Sequence, residues 1–473
     1  MRSRYFVFPF VFSIVQMFIA YFLYDIRNVN MQYVNLLIYW ILLLYYAYKG
    51  KDQSILMLFF LATFFVFLLG NDFFVNLFNL REYSFYSFDD TIYSHVYYSM
   101  HVSLFFVFLG SVLFYNKRRK IGFNCSGYKL ELLKKYSKKV FYYTLPLKII
   151  AISIAAYNMI KFSYVDLEAN KMSSVYIIDR LAQINYLSFV LFLMLYPSKR
   201  ELMPLLRWGL VVYSCQLLGG SRGDTMYFLI FIMAYLLFRD YINKREGNLS
   251  EIFLTNKIKA YIILSAIPLL FFLKIYASIR VHETVESKGM MMGAMEFFVQ
   301  QGGSYSVIGY AKQYEHLLPS TNISYTFGPV IEFVKKIVPS QIESLEELTH
   351  EALYGNNLGA TITFLVDPSY YYRGGGFGTQ YIAELYTDFG YWGVAVFSLL
   401  LGIFISKINF FFSRSWMVNA LFASCIISLF SMPRNFYLCW FGSIFSFWNI
   451  FFLLAMNVYV NRKIAKRRQM LSR

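Results

Sequence analysis

The chain has 473 residues, 58% hydrophobic and only 15% charged, with a formal net charge of +17. Together with a mean hydropathy of +0.47, this excludes an ordinary soluble domain and points to an all-α polytopic membrane protein. Aromatic residues make up 21%, including 51 Phe and 42 Tyr; Tyr suits interfacial belts and Phe a lipid-facing surface.

In chain order, residues 1–24 carry two Arg before an apolar run. That run is too long for a signal-peptide core and lacks a small-x-small cleavage site, so it reads as a retained first span. Runs of spanning length, roughly 20 residues each, fall at about 5–24, 32–48, 53–70, 92–115, 140–160, 181–197, 204–219, 225–238, 260–279, 390–406, 416–432 and 436–460. The seventh and eighth are short, because Gly219-Gly220-Ser221-Arg222-Gly223-Asp224 interrupts them. The layout divides into spans one to nine (1–279), a large outer loop (280–389), and spans ten to twelve with a basic tail (390–473).

Alternating these spans from a cytoplasmic N-terminus puts most of the 44 Lys and Arg on the inner side, as the positive-inside rule requires. The strongest anchors are Lys117-Arg118-Arg119-Lys120, Lys134-Lys135 with Lys138-Lys139, and the tail with Arg462, Lys463, Lys466, Arg467 and Arg468. They read as topology signals rather than nucleic-acid patches. Both termini are then cytoplasmic, and the long loop lies outside. A loop of that length should carry its own elements. Val330, Ile331, Phe333, Val334, Ile337 and Val338 repeat with helical period between Pro329 and Pro339, and Ser344 to Leu353 forms a second stripe.

Four arginines run against the charge bias at outer span ends: Arg222, Arg280, Arg373 and Arg434. A guanidinium keeps its proton and grips phosphate bidentately, so this set suits a pyrophosphate group. Each alone would also suit a snorkelling or ion-paired role. Gly374, Gly375, Gly376 and Gly378 leave room for close backbone approach. Thr379 then caps a helix that places Tyr381, Glu384 and Asp388 along one face. Glu384 could serve as general base toward a sugar hydroxyl or merely complement the helix dipole; Asp388, deeper, would orient a partner. Gln300-Gln301-Gly302-Gly303-Ser304-Tyr305 offers amides, hydroxyls and a ring suited to carbohydrate, with Gln301 and Tyr305 as glycan contacts. His282, His316 and His350 lack ligand spacing; with Glu283, the first and last are reserve bases. Neither DxD nor HExxH occurs, which argues against a metal-dependent transferase or protease. The four cysteines form neither a disulfide framework nor a zinc site. The Arg222-Gly223-Asp224 tripeptide reads as coincidence rather than an adhesion signal.

These features resemble the Wzy-type O-antigen polymerases. The resemblance rests on the span layout, on Gly219-Gly220-Ser221-Arg222-Gly223-Asp224, on Gln300-Gln301-Gly302-Gly303-Ser304, and on the glycine-rich segment running through Glu384 to Gly390. It implies a class C glycosyltransferase-like enzyme of the bacterial inner membrane that needs no cofactor, metal or nucleotide sugar. Such an enzyme transfers a growing O-antigen or capsule-like glycan from polyprenyl (undecaprenyl) pyrophosphate to the next lipid-linked repeat, on the periplasmic face. It implies membrane lipid and a Wzz-type chain-length regulator as partners, with no nucleic acid. Arg222, Arg280 and Arg373 match the family's outer-face arginines by position; Arg280 and Glu384 would be catalytic, while Arg222, Arg373 and Arg434 would bind pyrophosphate. Tyr381 and Asp388, with Gln301 and Tyr305, would face the glycan. A lipid-linked oligosaccharide flippase or transporter and an O-antigen ligase are the competing readings. The flippase reading expects a repeated half, and no internal repeat is found.

Overall fold

In the computed structural model the described residues are 2–83, 87–113, 122–161, 173–220, 222–280, 289–319, 324–335, 345–408, 410–411 and 413–471. Among them the regular structure is helical throughout, without strands. Helices α1 (Arg2–Asp25) and α2 (Val29–Gly50) make the first hairpin. Asn28 closes its turn, its side chain accepting the Met31 amide that a helix start leaves orphaned. The third span is composite: α3 (Ile55–Phe64), a π-helical segment Phe65–Leu69, and α4 (Gly70–Phe78). The apolar run alone predicts a span over 53–70; the π turn re-aims the helix and carries it eight residues further. α5 (Asp90–Leu113), α6 (Gly127–Lys161), α7 (Ser173–Met194) and α8 (Lys199–Ser214) follow. The cluster Lys117–Lys120 lies outside the described residues.

α9 (Arg222–Glu246) and α10 (Asn256–Arg280) complete the first nine spans. Between α8 and α9, Gly220 takes φ 84°, a conformation costly for any residue with a Cβ. Thr225 donates across that turn to the Tyr213 carbonyl at 3.1 Å, so the polar interruption is a hairpin between two spans. α10 is largely exposed from Asn256 to Pro268, with Ile263 and Leu264 outward, as a lipid-facing helix should be, and turns inward toward its end, where Leu273 is buried. It is held through α11 (Met290–Gly302) by the Lys274–Glu296 ion pair at 3.3 Å.

The long loop continues with α12 (Ser306–Gln313), α13 (Gly328–Lys335), α14 (Leu345–Tyr354), α15 (Leu358–Val366) and α16 (Pro368–Tyr372). α13 and α14 fall where the two apolar stripes predict helices; Val338 and Pro339 lie outside the described residues. The chain then returns through α17 (Tyr381–Lys407), α18 (Trp416–Ser431), α19 (Phe441–Phe445) and α20 (Phe447–Leu471). α17 starts well before the predicted 390–406 span and is broken at Gly390, at φ 62° and ψ −158°. Its N-cap is Gln380, accepting the Ala383 amide at 2.8 Å, where the sequence suggests Thr379; the Thr379 hydroxyl is turned to Glu384 instead. Among the described residues eleven segments are long and apolar enough to cross a membrane, and Leu181–Met194 is a shorter apolar helix. Together they occupy the twelve predicted runs.

α5 lies at the centre, packed most extensively on α17. A Cβ on Gly110 would strike the Leu399 carbonyl, and one on Gly402 the Val107 carbonyl. Bare backbones therefore meet, the small-residue packing that membrane helices use in place of a hydrophobic drive. The Ser103 hydroxyl bridges Tyr381 at 2.7 Å and Ser398 at 2.9 Å across the same seam. Far from the loop, α9 ends in a paired cluster: Arg239, 1% exposed, bonds Glu251 at 3.0 Å, and Arg245 bonds Asp52 at 2.6 Å.

Candidate functional site

The π segment and the end of α11 build a seat for Arg434. A Cβ on Gly302 would collide with the Asn71 amide nitrogen, so only glycine lets α11 lie so close on the start of α4. Asn71 then locks the contact, its Nδ2 donating to the Val299 carbonyl at 2.8 Å. This docking presents the buried Gln301 amide, whose Oε1 accepts from Arg434 Nη1 at 2.6 Å. The guanidinium lies 5.9 Å from the Phe67 ring centroid. The Phe67 ring is 6.1 Å from that of Tyr227, on the second turn of α9. The Arg434 residue itself is exposed. A neutral amide fixes its direction without cancelling its charge, and the remaining N–H donors keep their bidentate geometry.

Behind the seat sits a carboxylate that the sequence reading passed over. Asp72, on α4, is buried and accepts from the Tyr97 hydroxyl at 2.7 Å. Tyr305, in the short turn between α11 and α12, shares this cluster. Burial, and then the Asp72 charge, push its hydroxyl well above its ordinary value, which keeps it a neutral donor. Asn71 and Asp72 are polar residues at the end of an apolar run, and that was the available signal. Phe67 and Tyr227 carried no signal, because each looks like any other aromatic of a greasy span.

The other predicted residues divide. Glu384 is 0% exposed, with Oε1 accepting from the Thr379 hydroxyl at 2.8 Å and Oε2 from the Tyr437 amide at 2.9 Å. It therefore ties the start of α17 to the turn that carries Arg434. Tyr381 is buried in the α5–α17 seam described above. Asp388 accepts from Ser324 Oγ at 3.1 Å and from the Tyr325 and Thr326 amides at 3.1 and 2.7 Å, anchoring the loop before α13. Arg373 is exposed at the end of α16, with its Nε on the Ser369 carbonyl at 3.3 Å. Arg280 ends α10, with its side chain outside the description; His282 and Glu283 lie outside the described residues. His350 meets Tyr354 on α14 in a tilted ring contact, centroids 5.0 Å apart. Gly374 and Gly378, at φ 81° and 80°, fold the glycine segment back over α15, where the Phe377 amide bonds Thr363 Oγ1 at 3.1 Å. Among the described residues, no three His, Cys, Asp or Glu side chains converge as a metal site.

An all-helical chain with eleven segments, among the described residues, long and apolar enough to cross a membrane, and with a long helical loop before the last spans, is a polytopic membrane protein. The model of the O-antigen polysaccharide polymerase Wzy family matches residues 5–467, nearly the whole chain, and the chain belongs to that family. It is thus a multi-pass membrane polymerase of lipid-linked oligosaccharide repeat units, with a glycosyltransferase-like activity. No curated protein and no solved structure matches the chain.

Proposed function

We propose that the protein extends a glycan by moving the growing chain from its polyprenyl pyrophosphate onto the next lipid-linked repeat, on the periplasmic side of the inner membrane and without a metal ion. The observation that carries this reading is Arg434, exposed, planar and positioned by the neutral Gln301 at 2.6 Å. A departing pyrophosphate needs charge stabilisation already in place, and a pre-oriented guanidinium provides it. Arg222, which opens α9 in the same region, adds a second cation and the positive end of a helix. Arg373 and Arg280 lie on separate elements of the loop-bearing region and enter as contacts to the rest of the anionic lipid. Glu384 serves by holding the 434–437 turn, Asp388 and Tyr381 by holding α17 and its loop, and Tyr305 and Gln301 by shaping the glycan side. The charge pattern of the sequence supports placing this end outside.

The test is reconstitution of the purified chain in vesicles with a synthetic polyprenyl-pyrophosphate-linked repeat unit as the sole glycan. Products of two or more repeats are expected without added metal and in the presence of a chelator. Absence of any extended product, with the repeat unit moved across the bilayer instead, would make it a transporter.

A further inference from the structure

We propose that the end of the bundle away from the long loop carries a binding site for the phosphate headgroup of an anionic phospholipid, built where the start of α6 meets the end of α20. Residues 127–139 of α6 hold five Lys against the single acid Glu131, and residues 461–471 of α20 hold five Lys and Arg with no acid. The fold brings these two basic segments together through neutral groups. Lys129 Nζ donates to Asn457 Oδ1 at 2.8 Å, across 328 positions of sequence. The Tyr136 and Tyr459 rings meet edge to face at 4.9 Å. The Arg467 guanidinium lies 4.3 Å from the Tyr128 ring centroid, and Lys463 Nζ lies 5.6 Å from that of Tyr459. An amide or an aromatic face directs a cation without neutralising it. Among the described residues of the two segments, Lys134 alone has an ion-pair partner, Glu201 at 3.9 Å. Like charges held this close need an anion from outside.

The shape of α20 says which anion. Phe451, Leu454 and Val458 are exposed and stand three or four residues apart, and the same spacing continues to Arg462 and Lys466, also exposed. One face of the helix therefore runs from apolar to cationic, in the order of a lipid's acyl chain and its phosphate. Lipid covers this face in any event; the cations select which lipid. A soluble polyanion would use the cations and leave the apolar stripe above them without a role. The positive-inside rule accounts for the sign of each segment, but not for their convergence on neutral partners. A cation close to an anionic membrane surface is worth about a fivefold preference.

The full chain, reconstituted in phosphatidylcholine vesicles with a trace of photoactivatable phosphatidylglycerol or photoactivatable phosphatidylcholine, tests the site by mass spectrometry of the labelled peptides. Phosphatidylglycerol is expected to label 127–139 and 447–471 well above phosphatidylcholine, and the preference should shrink in high salt. Arg462→Gln combined with Lys466→Gln should lower it about fivefold for each cation removed. Tyr128→Leu keeps every charge, and so every topology signal, but releases Arg467; the preference should fall about two- to fivefold. Equal labelling by the two lipids overturns the proposal. A preference that survives Tyr128→Leu in full also overturns it, leaving diffuse surface charge in place of a built site. Loss of the preference to added inorganic phosphate at constant ionic strength overturns the lipid assignment, because the site would then hold a soluble anion. If the double variant inserts poorly, Tyr128→Leu decides alone.

Discussion

Two arginines beside opposite ends of α9 are held in opposite ways. At the far end Arg239, 1% exposed, is paired with Glu251 at 3.0 Å and lies 4.6 Å from the Tyr196 ring centroid and 5.1 Å from that of Phe253. Its charge is spent inside the protein. At the loop-bearing end Arg434 is exposed, and the group that aims it is the uncharged Gln301. Both guanidiniums are restrained, but only the second keeps a net charge to offer. On the proposed reading, Arg434 with its neutral partner serves function, whereas Arg239 with its ionic partner serves the fold. Substitutions at four positions test that distinction.

The largest expected effect is on stability. Removing Arg239 leaves a void under two rings, and truncating a large buried side chain to Ala costs about 2–5 kcal/mol; Glu251, a third exposed, loses its cation but keeps the Lys199 amide. Arg239→Ala is therefore expected to reach the membrane in much reduced amount and to unfold at markedly lower temperature in detergent. Wild-type melting would remove the structural half of the comparison. Next comes Arg434→Ala, with abundance and melting unchanged but glycan extension lowered about 10²–10³-fold, the usual loss for one pre-positioned donor to a developing anion. Arg434→Lys keeps the charge without the fork, and most of that loss should remain.

The two arginines were not equally visible beforehand. The twelve spans were legible because an apolar run of bilayer length needs no tertiary information. Arg434 was legible as a cation on the wrong side of the charge bias, and Gln301 as an amide in a polar loop. Their bond joins residues 133 positions apart, and no local pattern encodes that. It depends on the π turn at Phe65–Leu69 and on Gly302 resting against Asn71, two features with no periodic signature. The break at Gly390 was hidden likewise, since a glycine at the mouth of an apolar run reads as a boundary.

An intermediate effect comes from turning one kind of arginine into the other. Gln301→Glu would make Arg434 resemble Arg239, aimed by an anion that cancels it. A charge-assisted bond is worth about 1.5–3 kcal/mol, so KM for the lipid-linked donor is expected to rise about 10–150-fold. Melting temperature should stay level or rise slightly, because the new pair adds a contact. If KM is unchanged, the seat does not bind the anion, and Arg434 is held for structure after all.

The smallest effect is expected at Glu384, and it discriminates most sharply. Both carboxylate oxygens accept bonds, one from the Thr379 hydroxyl and one from the Tyr437 amide. In Glu384→Gln the amide oxygen can keep the Tyr437 N–H, and the new NH₂ can donate to Thr379, whose hydroxyl rotates to accept. Every buried group stays satisfied, and the loss is the extra strength of two charge-assisted bonds, about 1 kcal/mol. The turn carrying Arg434 stays in place, so extension should remain within about tenfold of wild type. A general base cannot be replaced in this way: its amide would cost about 10²–10⁴-fold. Glu384→Ala supplies the contrast, because it strands the buried Tyr437 amide at about 1–3 kcal/mol and frees the Arg434 turn, lowering stability and rate together. A Gln variant that melts like wild type but extends nothing would make Glu384 the base.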